Sequence, residues 1–63
     1  MNTTVETFKE LLEEVKRNNY EPNYARNYVL GAYDMAKTIA TIKGEDTTEL
    51  VLLTHDFLYK GGK

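Results

Sequence analysis

The chain has no cysteine, no serine, one proline and one histidine. Without thiols there is no disulfide and no thiolate zinc site. The lone histidine, His55, does not make a conventional metal site by itself. Nucleophilic catalysis lacks both its commonest side chains, and the threonines have no base beside them. There is no apolar run near 18 residues, so no segment reads as a membrane-spanning helix. Basic residues are not in excess: 8 face 10 acidic ones, a formal charge of -2. Proteins that hold nucleic acid through its phosphates carry the opposite balance, so nucleic acid is not an expected partner. The opening MNTTVETFKE has neither a basic n-region nor an apolar h-region, which reads as a cytoplasmic chain with no secretory signal.

What is present fits a single small helical domain over residues 1–63. Sixty-three residues bury a smaller share of their surface than a long chain does, and domains of this size usually need a staple. With disulfides and zinc removed, oligomerisation or very efficient helix packing remains. Punctuation divides the chain into three parts, at NNYEPN around Pro22 and at KGED around Gly44. The terminal residues 61–63, GGK, read as a disordered tail.

The pattern predicts three helices, over about 4–18, 22–43 and 47–60, as an antiparallel bundle around a long central helix. In the first, Thr3-Thr4-Val5-Glu6 has the form of a capping box. Val5, Phe8, Leu11, Leu12 and Val15 then make a stripe about 120° wide, and Glu13 stands one turn before Arg17. Pro22 suits the first position of the second helix and Gly44 its C-terminal cap. The third follows Asp46, placed as a capping residue. Its apolar spacing at Leu50, Leu53, Phe57 and Leu58 favours helix over strand, with Val51 and Thr54 completing a broad inward face.

The second helix carries more apolar surface than one neighbour covers. Tyr24, Tyr28, Gly31, Met35, Ile39 and Ile42 form one seam, expected to point inward. Ala25, Val29, Ala32, Tyr33, Ala36 and Ala40 continue round the helix, giving an apolar arc of roughly 180°. Such a surplus predicts self-association, with a homodimer completing the bundle, or a docking face for another protein.

Chemistry-bearing constellations are few. His55-Asp56 is a lone doublet whose side chains point about 100° apart on a helix. Glu13-Glu14 and Glu45-Asp46 lack the apolar surroundings that raise a carboxyl pKa for acid–base work. No phosphate loop precedes a helix, and the third helix lacks the Arg, Lys, Asn and Gln that read bases. The chain is therefore not expected to be an enzyme or to carry a cofactor. The candidate partner or ligand residues are Tyr20, Arg26, Tyr33 and Lys37 around the second helix, with Leu52, His55 and Tyr59 as a second patch on the third. They suit a protein-interaction module: an adaptor, inhibitor or regulatory accessory protein. Chains of this kind are common in phages and mobile elements, where they block a host factor. The alternative is an oligomer that sequesters a small nucleotide-like ligand by tyrosine stacking and Arg26.

Overall fold

The protein is described here from a computed structural model covering residues 3–61; of Thr3, Lys60 and Gly61 only the backbone is described. It is all-helical over these residues, with no strand among them. Helix α1 runs Thr3–Asn18, α2 Pro22–Lys43 and α3 Thr48–Asp56. At Phe57–Gly61 the last helix widens into a π-turn, a form met mostly as single turns at helix irregularities. Each of the three helices packs against the other two. Of the expected tail, Gly61 closes this turn, while Gly62 and Lys63 lie outside the described residues.

Helix boundaries follow local chemistry. Thr3 is already helical, so the expected threonine cap is corrected, and the residues before it lie outside the described ones. Thr4 turns inward and is buried. The chain leaves α1 through Asn19, whose φ of 54° is a left-handed value that asparagine tolerates better than most residues. Glu21 caps α2, its Oε1 accepting from the Tyr24 N–H at 3.0 Å, ahead of Pro22. Gly44 ends α2 at φ 80°, and the Glu45 N–H reaches back to the Ala40 carbonyl at 2.8 Å, closing the helix in the manner of a Schellman motif. Asp46, expected as the cap, stands one residue before the capping position, which falls on Thr47, and tethers the start of α3 from there: its Oδ1 accepts from the Thr48 N–H at 3.1 Å and the Thr48 hydroxyl at 2.9 Å. Those bonds favour the charged form and hold its pKa below the usual aspartate value.

The α1 stripe is as the spacing implies, with Val5, Phe8, Leu12 and Val15 buried and Leu11 packed beside them. Its surface pair is Glu14–Arg17 at 2.7 Å, not the expected Glu13–Arg17. A second exposed pair, Lys9–Glu49 at 3.4 Å, links α1 to α3. Solvated pairs of this kind contribute about 1 kcal/mol at most.

Helix α2 faces the other way round from the expectation. Val29 and Ala40 are fully buried, and Ala25, Ala32, Tyr33 and Ala36 pack against the core. The seam expected inside lies outside: Tyr24 is 52%, Tyr28 41%, Met35 66%, Ile39 39% and Ile42 80% exposed. Gly31 stands among them in open space. The physical reason is complementarity of size. The inward residues of α1, α3 and the π-turn include Phe8, Leu12, Leu50 and Phe57, and close packing needs small side chains opposite large ones. Four alanines and a valine let all three helices approach. A seam of tyrosines, Met35 and isoleucines would hold them apart.

Helix α3 buries Leu50 and Thr54 with Leu53 half-buried, and the π-turn adds a buried Phe57 and a half-buried Leu58. Val51, expected on this face, is exposed. It sits about 100° from Leu50, one step past the edge of the covered arc. The Thr54 hydroxyl is buried without a hydrogen-bond partner, a defect that costs about 1–3 kcal/mol.

Two predictions follow from this packing. Leu50→Ala costs about 2–5 kcal/mol, enough to unfold a domain this small, whereas Tyr28→Ala costs under about 1 kcal/mol and Thr54→Val stabilises by about 1 kcal/mol. Urea titrations followed by circular dichroism, in samples dilute enough to be monomeric, read all three. A Tyr28→Ala loss as large as that of Leu50→Ala contradicts the orientation of α2. For Asp46, the folded-state pKa lies below the unfolded one. Its contribution is therefore complete above the unfolded aspartate range and lost as pH falls through the lowered folded value. Asp46→Asn flattens the acid limb of a stability–pH curve, and an unchanged limb contradicts the tether.

Candidate interaction surface

Ten large apolar or aromatic side chains are exposed among the described residues, against eight buried apolar ones. Exposed apolar residues scattered singly are ordinary, and contiguous ones are not. Half of the ten lie on a single face of α2. Tyr24, Tyr28, Gly31, Met35, Thr38 and Ile42 recur at alternating steps of four and three, the spacing of a helix-pairing seam, with Ile39 beside it. The one hydroxyl in that seam away from the tyrosines, on Thr38, donates to the Asp34 carbonyl of its own helix at 3.0 Å. It needs no other partner when covered.

At the N-terminal end of this face three tyrosines gather. Tyr20 meets Tyr24 edge-on at 4.9 Å between ring centroids and stacks near Tyr28 at 6.1 Å, while Tyr24 and Tyr28 are 6.0 Å apart. The Tyr20 hydroxyl also accepts from the Asn18 side-chain amide at 3.2 Å. The sequence reading separated Tyr20 from a buried Tyr24 and Tyr28, and the structure corrects this by joining the three on the surface.

The face is continuous with a groove of about 330 Å³ between α1 and α2. Phe8 and Leu11 line it from α1, and Ala32, Met35, Ala36 and Ile39 from α2. Met35 and Ile39 belong to both features. A second cleft of about 330 Å³ opens where the end of α1, the start of α2 and the π-turn meet. Val15, Ala25 and Phe57 form its apolar floor, and Lys16, Tyr20 and Arg26 stand around it. Neither cation is in an ion pair among the described residues.

The sequence-derived site residues thus scatter. Tyr20 and Arg26 share the second cleft. Tyr33 is half-buried against the core and is corrected from a surface candidate to a packing residue. Lys37 is exposed and lines neither cavity. On α3, His55 and Tyr59 pair with centroids 4.4 Å apart, and Leu52 and Tyr59 are largely exposed. The residues missed were Tyr24, Tyr28, Met35, Ile39 and Ile42. Their four-three spacing was visible, but size matching between helices was needed to turn them outward.

Among the described residues no group of histidines and acids is placed to hold a metal, and no helix is long and apolar enough to cross a membrane. Compared with known protein families, curated proteins and solved structures, the chain matches none.

Proposed function

We propose that the chain is a protein-interaction module whose working surface is the outward face of α2. In this reading the three helices form an antiparallel bundle that presents α2, and the protein acts as an adaptor, inhibitor or regulatory accessory factor by docking a helix of a partner. The observation that supports it most is the run of exposed large apolar side chains along five turns of one helix, opening into the α1–α2 groove. Apolar anchors at helical spacing beside an apolar groove are how helix-in-groove recognition works. The absence of any paired nucleophile and base on this face suits binding more than catalysis.

The cleft beside Arg26 favours a second reading, a site for a small aromatic anion. Tyr20 offers a ring face, Arg26 and Lys16 offer positive charge, and the floor is apolar. Such a ligand stacks and pairs at once.

The two readings separate by experiment. A protein captured by the wild type and lost by the double variant Met35→Asp, Ile42→Asp supports the docking face, because both side chains are exposed and the fold does not depend on them. Identical capture by wild type and variant rules that face out. For the cleft, thermal melts against a panel of nucleoside monophosphates and aromatic carboxylates give a rise that Arg26→Ala abolishes. A flat panel removes the small-ligand reading.

A further inference from the structure

We infer that the occupant of the α2 face is a second copy of this chain, packed antiparallel along α2 with Gly31 of each copy receiving Met35 of the other. This rests on the reading of α2 as the docking surface and specifies its partner. Four observations lead to it.

The first is the symmetry of the seam about its own middle. In an antiparallel pair centred between residues 31 and 35, Tyr24 faces the partner's Ile42, and Tyr28 faces the partner's Thr38 with Ile39 beside it. Gly31 faces the partner's Met35. The two-fold axis repeats each contact, as an isologous interface requires. Large meets small at the centre, and aromatic meets aliphatic at both ends.

The second is the space at Gly31. A Cβ built there has nothing within 4 Å, and Met35, one turn on, is 66% exposed. The fold of the single chain does not need glycine at this position. In the middle of a 22-residue helix, glycine is unfavourable relative to alanine. A side chain arriving from outside gives the open space a use, and methionine is the flexible residue that fills such gaps. A parallel pair does not do this. It sets Gly31 opposite Gly31, leaving a void, and Met35 opposite Met35. Antiparallel helices also align their dipoles favourably.

The third is area. Taking roughly 200 Å² for each fully exposed large side chain, the exposures of Tyr24, Tyr28, Met35, Ile39 and Ile42 amount to about 550 Å² per copy. Covered completely in a pair, these exposures come to about 1,100 Å², just under the region near 1,200 Å² at which specific interfaces begin.

The fourth is polarity. Between Tyr24 and Ile42 the seam positions carry no charged side chain, and the Thr38 hydroxyl is satisfied within its own helix. Covering these seam positions strands no charge.

Because the chain has no cysteine, single introduced thiols report the register directly. Tyr24→Cys and Ile42→Cys proteins are mixed in equal amounts and oxidised under mild thiol–disulfide exchange. The antiparallel pair gives a mixed 24–42 disulfide in clear excess over both homodisulfides. An excess of homodisulfides means a parallel pair and overturns the register, as does a statistical mixture. Sedimentation equilibrium of the wild type provides the second readout, with a dimeric mass expected. Gly31→Leu keeps its helicity as a monomer, since the space is open, but weakens the dimer at least tenfold. An unchanged dimer overturns the Gly31–Met35 contact. A wild type that stays monomeric at millimolar concentration overturns the second copy altogether. If that monomer still captures a protein that Met35→Asp, Ile42→Asp loses, the docking reading of α2 survives and only its occupant changes.

Discussion

Close approach of α2 to both neighbours is the constraint on which the rest depends. Helix α1, and α3 together with the π-turn that follows it, each bring a phenylalanine and branched aliphatic residues inward, so the helix between them has to be thin where they touch it. Ala25, Val29, Ala32, Ala36 and Ala40 make it thin, and two of these are fully buried. The eight-residue buried core is small in area, and its stability comes from the closeness of packing that the alanine face permits. The termini serve the same end. Gly44 and Asp46 turn the chain sharply enough for α3 to follow α2 closely, and Asn19 and Glu21 do the same between α1 and α2.

The consequence is displaced onto the surface. A helix that spends its small residues on the core is left with its large ones outside. On α2 these are not scattered but set at helix-pairing steps, with a tyrosine cluster at one end, isoleucines at the other and a glycine near the middle. A seam graded in this way complements itself when turned end over end. The surplus apolar surface and the modest core share one origin: α2 turns its small residues to the core and its large ones to solvent. The second cleft lies at the tyrosine end, bordered by Lys16 and Arg26, neither in an ion pair among the described residues.

Element positions were legible in the sequence because punctuation and local periodicity determine them. Pro22, Gly44 and Asp46 marked the ends of α2 and the start of α3 within a residue, and the α1 stripe of Val5, Phe8, Leu12 and Val15 had only one face to bury. The orientation of α2 was not legible by the same means. Its apolar arc is wide enough to offer two faces, and hydrophobicity ranks Tyr24, Met35 and Ile42 above alanine. What decides between the faces is the volume available between α1 and α3, a property of three segments together. The same limit applies to the sites. Tyr20 and Arg26 border one cleft, whereas Tyr33 stands on the same side of α2 as Val29 and Ala36 and packs against the core.

Which face of α2 meets solvent in the single chain is measured most directly by methyl NMR with a soluble paramagnetic agent, in a sample dilute enough to be monomeric. The Met35 and Ile42 methyl signals should be strongly attenuated, and those of Val29, Ala40 and Leu50 protected. Protected Met35 and Ile42 signals beside an attenuated Ala40 would turn α2 round and contradict both the packing of the core and the surface built on it.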